Sequence, residues 1–130
     1  MKQRVFGLLL LLFVLSGCNL FHSKITPSQL VGQTVIVTLE SGAFPDSTIT
    51  MQFLSSKDIV WRLTGNLGNS TGAADYLISK VNPKTILVTW RSDRAHVSYV
   101  VTMDFDSERC FLVRVDKGQN LLSEGVVAFE

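Results

Sequence analysis

Residues able to do covalent or proton chemistry are sparse here, with two cysteines and two histidines in a chain of 130 residues. A serine nucleophile needs a base and an orienting acid, and His96 with Asp93 or Asp104 is the one combination available, without a Gly-x-Ser-x-Gly elbow beside it. Metal sites need three or four convergent His, Cys or carboxylate ligands, and no such spacing occurs, so no metal and no cofactor is expected. Asp104, Asp106 and Glu108 alternate along one turn but lack the twelve-residue calcium loop, and read as a solvated acidic turn. Gly65-Asn66-Leu67-Gly68-Asn69-Ser70-Thr71-Gly72 has the glycines of a phosphate cradle. Ala74 to Val81 after it reads as a strand, though, where a cradle would need a helix, which leaves a connecting loop. Cys110, inside Arg109-Cys110-Phe111-Leu112-Val113, reads as a buried, inert thiol with no histidine near it. The expectation is therefore not an enzyme.

Binding chemistry has better material. Trp61, Tyr76, Trp90 and Tyr99 are large amphipathic side chains that would line a cavity and stack on an apolar or aromatic guest, or else fill the core. Lys80 shares a strand face with Tyr76 and Ile78. If that face points inward, its ammonium could meet an anionic group, and otherwise it snorkels to water from a strand end. Arg114, on the face of Cys110 and Leu112, poses the same alternative.

The other cysteine has a different chemistry. Lys2 and Arg4 precede an apolar run from Val5 to Leu15, and Leu15-Ser16-Gly17-Cys18 follows directly; the arrangement resembles a bacterial lipobox behind a secretory signal peptide. The run is too short for a transmembrane helix, which needs about 20 apolar residues. The resemblance implies cleavage of residues 1–17, diacylglycerol on the Cys18 thiol, and further acylation of the new amino terminus. Several acyl chains on one residue exceed what stable anchoring requires. The cell envelope is the expected location, and Asn19 in place of an inner-membrane aspartate favours the outer membrane where the organism has one.

Taking 17 from 130 leaves 113 residues, enough for one core and not two. Residues 18–30 then form the lipidated terminus and spacer, and residues 31–130 the domain. Removing Lys2 and Arg4 leaves ten Lys plus Arg against eleven Asp plus Glu, and no basic patch, which excludes nucleic acid as a partner. With Cys18 lipidated, Cys110 has no partner for an intramolecular disulfide, so the fold must stand on packing.

The elements that position these residues follow a period of two. Val35, Val37 and Leu39 alternate with threonines and Ile36, and Ile49, Met51 and Phe53 alternate with Thr48, Thr50 and Gln52. Ile59, Trp61 and Leu63 share the third face. Val97, Tyr99, Val101, Met103 and Phe105 make the cleanest alternation. With Ala74–Val81, Thr85–Trp90, Arg109–Val115 and Ser123–Phe129, the count is eight strands, after one helical turn over Pro27–Val31. Short strands joined by tight turns predict an all-β antiparallel meander, and eight strands suffice to close a barrel; a sandwich is the competing architecture.

Gly32-Gln33-Thr34-Val35, Glu40-Ser41-Gly42, Ala74-Asp75-Tyr76, and Val81-Asn82-Pro83 leading into Leu87-Val88-Thr89-Trp90 together resemble the MoaF-like domain of the calycin-type barrels. That resemblance implies a lipocalin-like barrel and carries no catalytic set. The expected function is a membrane-anchored lipoprotein whose barrel binds a small apolar or amphipathic ligand through Trp61, Tyr76, Lys80, Trp90 and Tyr99. The alternative is a structural or protein-interaction envelope lipoprotein, such as an accessory or hydrolase-inhibitor-like protein, with a filled barrel.

Overall fold

β-Branched and aromatic side chains at alternate positions give each strand one face that must leave water, and here those faces turn toward a common axis. The computed structural model describes residues 24–130; the signal segment, Cys18 and the start of the spacer lie outside the described residues. A one-turn helix, α1 (Pro27–Leu30), is followed by β1 (Thr34–Gly42), β2 (Ser47–Phe53), β3 (Asp58–Gly65), β4 (Ser70–Asn82), β5 (Thr85–Ser92), β6 (Val97–Asp104), β7 (Arg109–Asp116) and β8 (Gln119–Phe129). Each strand pairs antiparallel with the next, and β8 returns to β1, closing an eight-stranded up-and-down barrel. Closure removes the open edges that a sandwich would have to protect.

Alternation and burial agree: β6 alternates strictly between buried and half-buried residues, and Val35, Val37, Ile49, Met51, Phe53, Met103 and Leu112 are inaccessible to solvent. Cys110 is buried with them. Burial pushes its thiol pKa up from 9.0 to about 11, so the protonated form is the one the core accepts. A raised folded-state pKa contributes stability that is whole below the unfolded value and lost as pH rises through the folded one. Stability is therefore expected to fall between pH 9 and about 11, by less in Cys110→Ala than in the wild type. Denaturant melts of both proteins across that window check it, and equal losses would refute it.

The two ends of the barrel differ. At one end α1 forms a cap: Leu30 is fully buried, the Gly32 amide donates to the Phe53 carbonyl (2.8 Å), and the Ile25 amide donates to the Pro83 carbonyl (3.0 Å). Gln29 Oε1 accepts from the Thr26 amide at 2.7 Å, satisfying a donor at the start of the helix. At the other end two buried serines pin the loops. Ser123 Oγ accepts from the Phe44 amide (2.9 Å) and Ser47 Oγ from the Leu67 amide (2.8 Å), which fold Phe44 and Leu67 over the mouth.

β4 departs from the sequence expectation. The glycine-rich loop was expected to reach Gly72, yet β4 begins at Ser70. Gly72 pairs with Trp61 in the β3–β4 ladder, and the Trp61 indole occupies the space where a Cβ on residue 72 would sit. The glycine is a strand residue lying under an aromatic ring, an exchange of side-chain area between neighbouring strands. β8 likewise begins earlier than expected, at Gln119, because polar residues at a hairpin end pair without needing burial.

Candidate functional site

Strand β4 is shared unevenly by its neighbours. Ser70–Asp75 pairs only with β3, and pairing with β5 starts at Tyr76. The barrel wall therefore opens between the first half of β4 and the β5–β6 turn. Ser70, Gly72 and Ala74 are the residues of this half with the inward parity, and all three are small, so the gap is not refilled by side chains. A cleft of about 550 Å³ results, lined by Trp61, Tyr99, the Asn69–Ala73 edge and the Ser92–Ala95 turn.

Tyr99 is the centre of the site. Register places it opposite Trp90 on β5 and opposite Arg114 on β7. Its ring stacks on Trp90 with centroids 5.2 Å apart and planes at 21°, and Trp61 reaches it from β3 at 6.1 Å and 42°. Such offset aromatic contacts add about 0.5–1.5 kcal/mol each beyond their buried area. Burial pushes the Tyr99 hydroxyl pKa up, opposed by the Arg114 guanidinium beside it, so the phenol stays protonated at neutral pH. Arg114 in turn lies over the Phe44 ring, 5.3 Å from its centroid, and its Nη2 is 3.5 Å from Asp116 Oδ2.

The polar atoms of this cluster are not all satisfied. Trp61 Nε1, Trp90 Nε1 and Arg114 Nε are buried and have no hydrogen-bond partner. Leaving a buried donor unmet costs about 1–3 kcal/mol, and native proteins keep few such groups. All three belong to residues gathered around Tyr99. Of the three, Trp61 lines the mouth cleft, while Trp90 and Arg114 adjoin it through Tyr99; a second cleft of about 500 Å³, between the Lys24–Gln33 segment and the end of β8, contains none of them.

The five residues expected to bind ligand thus separate. Trp61, Trp90 and Tyr99 come together. Tyr76 instead points its hydroxyl toward the capped end, donating to the Ser55 carbonyl at 2.6 Å, with its ring edge-on to Phe53 at 5.2 Å. Burial, and then the Asp58 charge, raise its pKa. It is a clamp on the β2–β3 turn. Lys80 is exposed, near the β4–β5 turn and away from the cleft, so the inward placement considered for it does not occur: at a strand end the long stem lets the ammonium reach water. Arg114 takes the place considered for Lys80. Its parity with Cys110 and Leu112 was the signal, and that parity points inward at the mouth.

The remaining chemical candidates are dispersed. His96 is exposed at a left-handed φ of 55° in the β5–β6 turn, and Asp104 lies at the opposite end of β6. The Asp104 carboxylate accepts from the amides of Asp106 (2.9 Å) and Ser107 (3.4 Å), which lowers its pKa and stabilises the acidic turn, while Lys84 pairs with Asp106 at 2.8 Å. Among the described residues no three His, Cys, Asp or Glu side chains converge as a metal group.

The family model of the MoaF N-terminal domain matches residues 21–116. The chain belongs to the MoaF family. The match spans the mouth from Phe44 through Asp116 and ends before Ser123. A crystal structure described as a "putative beta-lactamase" from Burkholderia vietnamiensis resembles this MoaF-family barrel with a TM-score of 0.66 at 15% identity, covering 78% of this chain and 95% of that one; the likeness is one of fold alone. No curated protein matches the sequence.

Gly72 offers a direct probe of this MoaF-family mouth. Gly72→Ala places a methyl against the Trp61 indole at Cζ2, Cε2 and Cη2, so the ring must move to make room. The expected result is a cost of about 1–2 kcal/mol with a red shift and altered quenching of tryptophan emission. An unchanged spectrum would show that the indole does not lie over residue 72.

Proposed function

We propose that this protein is a lipid-anchored envelope barrel that binds a small amphipathic ligand at its mouth, without catalysing a reaction on it. The observation that carries the reading is the cluster of three unpartnered N–H donors around Tyr99 beside an open cleft. Ligand pockets of this size pair aromatic walls with a few convergent polar groups. Cys18 is the proposed lipid attachment point, and it gives the membrane as a partner. The chain enters the barrel beside Pro83, at the capped end. Strands of about eight residues put the mouth about 25 Å beyond that cap. Residues 19–24 extend at most about 21 Å, so the mouth would face away from a nearby bilayer.

Two measurements test this. Full-length protein should fractionate with membranes and Cys18→Ala with the soluble fraction; equal distribution would sink the anchor. Native mass spectrometry of the Cys18→Ala protein should show an adduct displaced by Trp61→Ala. No adduct, and no thermal shift with a broad small-molecule panel, would sink the ligand.

A second reading has its own observation. Register aligns Leu77, Thr89, Val100, Val113 and Leu122 in one row across the outside of β4–β8, and Leu77 and Leu122 are 74% and 56% exposed. Exposed aliphatic rows mark protein-interaction faces. Leu122→Lys would abolish association with an envelope protein on that reading and leave the mouth unaffected.

A further inference from the structure

Taking the mouth as a ligand site, we infer that its ligand is a planar organic anion, a conjugated or aromatic carboxylate, and that Arg114 selects it. The inference rests on the sign of what is unmet. All three buried, unpartnered polar side-chain atoms are N–H donors, and no buried side-chain acceptor among the described residues lacks a partner. An indole N–H and a guanidinium N–H cannot accept a hydrogen bond in any protonation state they adopt near neutrality. A ligand that reaches any of them must therefore present acceptors. An amine or ammonium ligand would add donors to donors and bring a positive charge toward Arg114.

Charge sharpens the class. Asp93 and Arg94, both on the cleft wall, carry opposite charges, and Arg114, beside the cleft-lining Tyr99 across the β6–β7 ladder, is the cation next in reach. Asp116 does not quench it fully. That contact is 3.5 Å and reaches one terminal nitrogen only, whereas a strong charge-assisted pair sits near 2.7–2.9 Å. The Phe44 ring lies 5.3 Å from the Arg114 Cζ, a cation–π contact that favours a fixed guanidinium before anything binds. A carboxylate can then accept two parallel N–H bonds, the geometry that arginine provides and lysine does not.

Shape supplies the other half. Trp61 and Tyr99 both line the cleft, their rings tilted by 42° with centroids 6.1 Å apart, and Gly72 removes the side chain that would otherwise stand between Trp61 and the β4 edge. Flat π surfaces favour a flat guest over a branched or flexible aliphatic one. The two requirements meet at Tyr99, which touches Trp61 on one side and neighbours Arg114 on the other. Trp90, stacked behind Tyr99, backs the ring with a third donor.

The test titrates tryptophan emission of the full-length Cys18→Ala protein with trans-cinnamate, 1-naphthoate, cinnamamide, cinnamylamine and octanoate. The two aromatic carboxylates should bind, with cinnamamide about tenfold weaker or more, and octanoate and cinnamylamine without effect. Arg114→Gln should weaken the carboxylates by about 10- to 100-fold, as expected for loss of a charge-assisted bond, while leaving cinnamamide unchanged. Arg114→Lys should restore only part of the affinity. Equal loss of carboxylate and amide in Arg114→Gln would mean a structural role and overturn the assignment, as would binding of the amine or octanoate as tight as that of cinnamate. If neither carboxylate binds but native mass spectrometry finds a displaceable adduct, the ligand class is wrong and the binding site stands. With neither result, the site itself is wrong.

Discussion

Gly125→Ala is expected to cost the barrel its closure. Gly125 lies on β8, where it faces Leu39 of β1 across one ladder and Cys110 of β7 across the other. A Cβ built on it meets the Thr38 carbonyl oxygen and the Leu39 Cα, which are backbone atoms of the neighbouring strand and cannot swing aside. Immediately beyond, the β1–β8 register shifts between Leu39 and Ser41, so this is where the last seam of the barrel bends. An added methyl must push the strands apart along the one pairing that turns an open sheet into a closed one. Overpacking of this kind costs about 3 kcal/mol or more, equivalent to a melting temperature about 12 °C lower for a domain of this size. Gly118→Ala is the control. That residue also has no side chain and a positive φ of 77°, but open space surrounds it, so only backbone strain of about 1 kcal/mol is added. Thermal melts of the two variants should differ by several degrees. Equal melts would mean that the β1–β8 seam has slack the geometry does not provide.

That seam also explains what sequence can and cannot reveal here. Alternation such as Val97, Tyr99, Val101 and Met103 identifies a half-buried strand, because a pleated strand puts side chains on opposite faces with a period of two. The same alternation serves a sandwich or a barrel. Closure depends on Leu39 meeting Gly125, residues far apart in the chain whose encounter no local pattern encodes. Gly72 was misread for a related reason: glycine is a loop signal unless a neighbouring strand supplies the missing surface, and Trp61 does so from eleven positions away. The separation of Tyr76 from Trp61 and Tyr99 was hidden for another reason. Register sets it opposite Trp90, a member of the cluster, but its side chain reaches the Ser55 carbonyl and the Phe53 ring, and parity does not say in which direction along the barrel a side chain leans. Parity put Arg114 on the face of Cys110 and Leu112 but left open whether it turns inward or reaches water; the contact that parity could not reveal is Phe44, brought in by the Ser123 hydrogen bond from a different loop. The strands were legible and the mouth was not, since the mouth is made of pairings.

Leu30→Ala is expected to loosen the cap at the opposite end while leaving the strands paired. Leu30 is the one side chain of α1 that is completely buried, and it joins the core that runs the length of the barrel. Removing most of it deletes apolar burial and leaves a cavity, a combination that costs about 2–5 kcal/mol in well-packed sites. Val31, 39% exposed in the next position, should cost little when changed to alanine, so the pair isolates burial from helix propensity. The loss should be uneven. The backbone bonds from Gly32 to Phe53 and from Ile25 to Pro83 hold the segment to two turns, and without Leu30 they are its main attachment. Amide exchange at Gly32 and Ile25 should therefore accelerate more than exchange in β6, which is reached only by global opening. Binding at the mouth should survive whenever the barrel itself survives, because the Tyr99 cluster is held by its own ring contacts with Trp61 and Trp90 and by strand pairing with Arg114. Uniform acceleration across α1 and β6 would instead show that cap and barrel open as one unit, and a melting temperature equal to that of Val31→Ala would show that Leu30 carries no structural load. Should the cap loosen alone, the segment leading back toward Cys18 has a stability of its own, and a pull on the proposed tether would be absorbed there before it reached the mouth.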